Sequence, residues 1–152
     1  MDAADAANLD EAASQTLYRL ATANAIDEAL GLYRWGTADG AVQFTADARM
    51  ALCWHGALRG AIGDVFEVCE DLPDSAEASD PSVLAMRRDV RGLARALSGN
   101  KDGAIEDFEV FVASGYDSYQ VEQRREWVQR LRADEPVSAI FDEATLEALL
   151  QQ

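Results

Sequence analysis

The sequence predicts an all-α fold of tandem antiparallel helix hairpins, a solenoid of about three units closed by a C-terminal capping helix. Three observations lead there. Nearly half of the 152 residues are apolar (49%), and Ala and Leu, which lose little on entering a helix, dominate, with only three prolines. Apolar residues recur at helical spacing between plain stop signals. A short motif also returns at intervals of roughly 40 residues, the period of helical repeat proteins.

The elements follow in order. Leu17, Leu20 and Ala21 mark a first helix and Ile26, Ala29, Leu30 and Tyr33 a second, which is expected to stop at Gly36 before the turn-rich 37–40. Thr45 is a good N-cap for a third helix through Met50, Cys53, Trp54, Ala57 and Leu58. Gly60 and Gly63 then loosen the chain before Val65, Phe66, Val68, Cys69 and Leu72. The polar segment from Pro73 to Ser82 holds two of the prolines and reads as a loop, which a protease or kinase would reach if it is exposed. Asp80 caps the next helix, with Pro81 in its first turn, where the missing N–H is harmless. That helix carries Val83, Met86, Val90, Leu93 and Leu97 and ends at Ser98-Gly99-Asn100. Ala104, Ile105, Phe108, Phe111 and Val112 form another, ending at Gly115. Asp117 with Gln120 resembles a capping box for a helix through Val121, Trp127, Val128 and Leu131, and Asp142 caps a last one with Leu146, Leu149 and Leu150.

Self-comparison groups these helices. Ala25-Ile26-Asp27-Glu28-Ala29 matches Ala104-Ile105-Glu106-Asp107-Phe108, and Val65-Phe66-Glu67-Val68-Cys69 lies midway. Each copy follows another helix, so the unit is a hairpin, and the units fall at about 9–36, 45–72 and 82–114 with a cap over 117–152. A single hairpin cannot bury its own apolar face, and about three are the minimum that folds. The third unit resembles a tetratricopeptide repeat. Gly92 stands at that family's mid-helix glycine, Gly99 at its inter-helix turn, Ala104 at its small contact and Phe108 at the aromatic four residues on. Arg88, Arg91 and Arg95 depart from the pattern, for they occupy places where the family carries Trp, Leu and Tyr. The run 91–108 is similar to repeats of large bacterial signalling proteins. The resemblance implies a scaffold in a bacterial signalling or defence assembly, with a groove lined by the first helix of each unit.

Charge and composition narrow the function classes. The formal net charge is −15, and each third of the chain is acidic, so no part is a separate acidic tail. Such a surface repels phosphate backbones and disfavours nucleic acid as a ligand. No apolar run reaches the roughly 18 residues of a membrane span, and Asp2 and Asp5 stand in the first stretch, so neither anchor nor signal peptide is expected and the location reads as cytoplasmic. Cys53 and Cys69, among Leu52, Trp54, Phe66 and Val68, read as unpaired apolar fillers in a reducing compartment.

Enzyme chemistry finds no constellation. His55 is the one histidine, and Cys53, two residues away, diverges from it on a helix. Two Cys and one His lack zinc spacing, and Gly56, Gly60 and Gly63 are followed by no GK[ST] phosphate loop. The acidic pairs Asp27-Glu28, Glu106-Asp107 and Asp142-Glu143 read as helix starts or solvent faces. No catalytic, cofactor-binding or metal-ligating residue is therefore expected, and the chain is not expected to be an enzyme.

Candidate partner-binding residues are of two kinds. Arg88, Arg91 and Arg95 share one helical face with Arg87 beside them. They form either a clamp for a partner's carboxylates or phosphates, or internal pairs with Glu106, Asp107 or Glu109, the reading the sequence favours. Met50, Trp54, Met86 and Leu93 are expected along the groove, and Tyr33 and Trp35 partly exposed at a helix end; Phe44, Tyr116, Tyr119 and Trp127 are expected mostly in packing. The expected partner is another protein or peptide, with self-association open through the ends of the stack. The alternative function is an acidic inhibitor, mimicking nucleic-acid charge towards a basic partner.

Overall fold

In the computed structural model, which describes residues 1–73, 80–115 and 118–152 (backbone alone at 118), five of the helices begin where a side-chain oxygen accepts an orphan N–H. Asp2 caps α1 (Ala3–Thr22), which therefore starts well before the expected unit boundary near residue 9. Thr45 caps α3 (Ala46–Leu58), Asp80 caps α5 (Pro81–Leu97) and Asp142 caps α9 (Glu143–Leu150), each as the sequence predicts. Asn100 does the same for α6 (Lys101–Ser114). The remaining helices are α2 (Ile26–Ala38), α4 (Ile62–Glu70), α7 (Ser118–Arg132) and a single turn, α8 (Val137–Ile140), that the sequence reading did not contain. The described residues are all helix or connection, with no strand. Most of the expected 73–82 loop lies outside the described residues, as do Tyr116 and the Asp117 half of the expected capping box.

Gly36 does not end α2, as was expected of it. The helix runs on to Ala38, and Gly36 is buried inside it, where an added Cβ would lie 2.7 Å from the Phe44 ring and 3.0 Å from Val42. The residue is glycine so that the 42–44 segment can pack against the helix, with Phe44 then meeting Tyr33 at 5.3 Å between ring centroids.

Among the described residues one turn recurs four times. Asn24, Gly60, Gly99 and Asp134 all have left-handed φ values, of +64°, +83°, +92° and +60°. In each, the residue's own N–H donates to the carbonyl three back and the next N–H to the carbonyl five back: Ala25 to Leu20, Ala61 to Gly56, Asn100 to Arg95 and Glu135 to Arg130. This is the Schellman arrangement, which closes a helix and sends the chain back along it. Counted from the turn, Ala29, Val65 and Ala104 are equivalent and wholly buried. Ala21, Ala57 and Ala96 are likewise equivalent, three residues before it, and buried. The first copy of the sequence motif is thus out of register by one helical turn: Ala29, not Ala25, matches Val65 and Ala104. The acidic pairs misled the comparison, because Asp27 and Glu28 are exposed whereas Asp107 is wholly buried.

Helices α1 and α2 pack together, as do α3 and α4, α5 and α6, and α7 and α8; α1 also lies on α3, and α3 on α5. One core fills α1 to α4 and reaches Val90 and Ala94; another surrounds Phe108, Trp127 and Phe141, with Trp127 and Phe141 edge to face at 4.8 Å. The expectation of two unpaired thiols is overturned. Cys53 and Cys69, both wholly buried, form a disulfide between α3 and α4. They stand seven residues before and nine after the Gly60 turn, which brings their Cα atoms to 5.2 Å, within bridging distance. At the same two positions of the next hairpin, Gly92 admits the Phe108 ring. The thiols accordingly give no support to a reducing compartment. No helix of the described residues is long and apolar enough to cross a membrane.

Candidate functional site

The helices that open each hairpin, α1, α3, α5 and α7, present side chains to one shared face. Tyr18, Met50, Trp54, Met86, Val90 and Arg124 line a cleft there of about 560 Å³, with Asp47, His55 and Gln120 also in its wall and Leu149 and Leu150 of α9 closing one side. Tyr18 is 50% exposed and Met86 38%, while Met50 and Trp54 are half-buried. Of the expected groove contacts, Met50, Trp54 and Met86 therefore lie on the face. Leu93 does not: it is wholly buried in the core with Phe108, Trp127 and Leu131.

Arg124 sits beneath this face, 2% exposed. Its Nε and Nη2 donate to the two Asp89 oxygens at 2.8 and 2.7 Å, and its guanidinium lies 4.6 Å from the Trp127 ring centroid and 5.4 Å from that of Phe111. A planar fork on a carboxylate, with two aromatic rings beside it, is among the strong arrangements available to a buried arginine. Burial pushes the Asp89 carboxyl upwards, and the Arg124 fork works against that rise. The cleft floor thus carries a neutralised pair, not a bare charge.

The arginine stripe lies elsewhere, between α4, α5 and α6, and it converges on one carboxylate. Asp107, wholly buried, accepts from Arg88 Nη1 at 2.8 Å and from Arg91 Nε and Nη2 at 2.9 and 2.8 Å, with Arg95 Nη1 at 3.1 Å. Arg95 also forks onto Glu70 at 2.8 and 2.9 Å, and that hydrogen bonding holds the Glu70 carboxyl below its ordinary range. Of the expected internal partners, Asp107 is engaged, Glu109 pairs instead with Arg132, and Glu106 is exposed. Arg87 donates to the Pro73 carbonyl at 3.3 Å.

The aromatic candidates also divide. Trp35 is 60% exposed, whereas Tyr33 is half-buried against Phe44, and burial raises its phenol above the ordinary value. Trp127 is core and Tyr119 is exposed. Sequence reasoning missed Asp89 and Arg124, and it named Asp107 among the internal partners without separating it from Glu106 and Glu109. A signal existed for Asp107, since three arginines replacing apolar repeat positions need a buried anion. Asp89 and Arg124 carried one as well: they fall ten residues before successive turns, at equivalent places on α5 and α7, where opposite charges would meet.

His55 borders the cleft with its Nδ1 buried and without a hydrogen bond among the described residues. Burial, and next the nearby Arg59 charge, lower its pKa from the usual 6.5. Among the described residues no group of three or more His, Cys, Asp or Glu could hold a metal ion. Compared with known proteins, the chain matches no family model, no curated protein and no solved structure.

Proposed function

We propose that this chain is a non-catalytic protein-binding module of the tetratricopeptide type, an antiparallel hairpin solenoid whose shared α1/α3/α5/α7 face holds another protein or peptide. The observation that carries the reading is the recurrence of one helix-closing turn at Asn24, Gly60, Gly99 and Asp134, with α1 lying on α3, α3 on α5, and Tyr18, Met50, Trp54 and Met86 along one cleft. Large, partly exposed aromatic and Met side chains over a neutralised floor suit apolar anchoring of a partner. The resemblance of the third hairpin to bacterial signalling repeats makes an adaptor or regulatory subunit of a signalling or defence assembly the corresponding role.

The net charge of −15 favours a second reading, an acidic inhibitor that takes a basic protein in place of nucleic acid. Affinity capture from native lysate at low and moderate salt separates the two. A partner held through the cleft is expected at both salts; nucleic-acid-binding proteins recovered at low salt alone would select the acidic mimic, because exposed charge pairs are screened within about 8–10 Å at such ionic strengths.

A further inference from the structure

Helix α9 is joined to the rest of the molecule differently from every helix before it. It does not extend the stack beyond α7; it turns back onto α3, so that Leu149 and Leu150 line the cleft, and Leu146 and Leu150 face Leu58 and Arg59. Leu149 is wholly buried against the Phe108, Trp127 and Phe141 core and the other two leucines are half-buried, a stripe at i, i+3 and i+4 on an eight-residue helix whose exposed residues include Glu143 and Glu147. Among the described residues no hydrogen bond or ion pair ties α9 to another helix. By contrast, α7 is fastened by the Arg124–Asp89 fork and the segment before α9 by Phe141, lodged edge to face on Trp127. Between the lodged Phe141 and the first turn of α9 stands Asp142 alone, extended (φ −72°, ψ 171°) and capping the helix with its own side chain. The cap travels with the helix. Eight residues are too few for a helix to persist alone in water, so α9 holds its form only while its leucines are docked.

We infer that α9 is an intramolecular ligand of the protein-binding face, a latch that detaches as a unit about Asp142 and is displaced by a partner helix carrying large apolar residues at the same i, i+3, i+4 spacing. The inference rests on the proposed binding role of that face, since a latch needs something to exclude. Its energetic logic is competition for the part of the face that α9 covers: a partner helix that needs this surface as well as the open cleft sees only the fraction of molecules with α9 released, and its apparent affinity falls by that fraction.

Two measurements on the full chain test the latch without any partner, so that its failure is distinct from failure of the adaptor reading. Native-state hydrogen exchange should show the α9 amides opening at least 10-fold more readily than those of α3, α5 and α7. In the variant Leu146→Asp with Leu149→Asp, a synthetic peptide of residues 142–152 should shift the Trp54 indole resonance at concentrations at least 10-fold lower than in the unmodified chain. Exchange of α9 at the same rate as α3 would overturn the latch, as would equal peptide response in both proteins. No peptide response in a variant whose helicity is unchanged would do so too, and if the variant does not fold, the exchange result on the unmodified chain decides.

Discussion

At the residue scale the arginine stripe and its internal pairing were legible, and the carboxylate that receives it was not. The three- and four-residue spacing places Arg88, Arg91 and Arg95 on one face, but Glu106, Asp107 and Glu109 are equally acidic in the sequence, and only packing selects the one that is buried. Removing that carboxylate strands buried guanidinium groups, which typically costs about 3–5 kcal/mol. Asp107→Ala should therefore lower the denaturation midpoint severely, while Glu106→Ala, on an exposed neighbour, should change stability by less than about 0.5 kcal/mol; chemical denaturation of both variants checks the contrast. His55 makes a pH prediction of definite sign. Its folded pKa lies below the unfolded 6.5, so the unfolded chain takes up the proton first; the stability it contributes is present above about pH 6.5 and is lost as pH falls toward the lowered folded value. The melting temperature should decline between pH 7.5 and 5.5 more in the unmodified protein than in His55→Gln, and parallel declines would remove His55 as the cause.

At the element scale, helix starts and stops were read well wherever a cap or a turn residue marks them: Thr45, Asp80, Ser98-Gly99-Asn100, Gly115 and Asp142 all act as local chemistry predicts. Gly36 was misread because a glycine used for close approach looks, in sequence, the same as one used to turn. The turn at Gly99 has φ +92°, where a Cβ is strained, so Gly99→Ala should cost about 1 kcal/mol. At the equivalent turn Asn24→Gly should gain up to about 1 kcal/mol, since Asn already tolerates φ +64° and Gly does so freely. Opposite signs at two matching positions, measured by thermal melting, would show that the turns are one device. The α3–α4 disulfide closes a 16-residue separation, for which chain entropy in the unfolded state corresponds to about 3 kcal/mol. Reduction should lower the melting temperature accordingly; an unchanged melt, with both thiols alkylated after unfolding, would mean the bridge contributes little.

On the scale of the whole molecule, the all-helical class followed from Ala and Leu content and helical spacing, because those depend on local preferences that packing here reinforces. The register of the first hairpin did not, since the exposed Asp27-Glu28 pair imitates the Glu106-Asp107 pair without sharing its burial. Nor did the path of α9. Its leucines declare an amphipathic helix, but the surface that receives them, α3 and the core around Phe141, exists only in the assembled fold. The central claim is that the face shared by α1, α3, α5 and α7 binds a protein partner through apolar anchors. Its most direct test is the affinity of a captured partner for the unmodified protein, for Trp54→Ala with Met86→Glu on that face, and for Trp35→Ala away from the cleft. At least a 10-fold loss confined to the cleft variant is the expected result; full affinity in that variant, or a loss only in Trp35→Ala, would contradict the account.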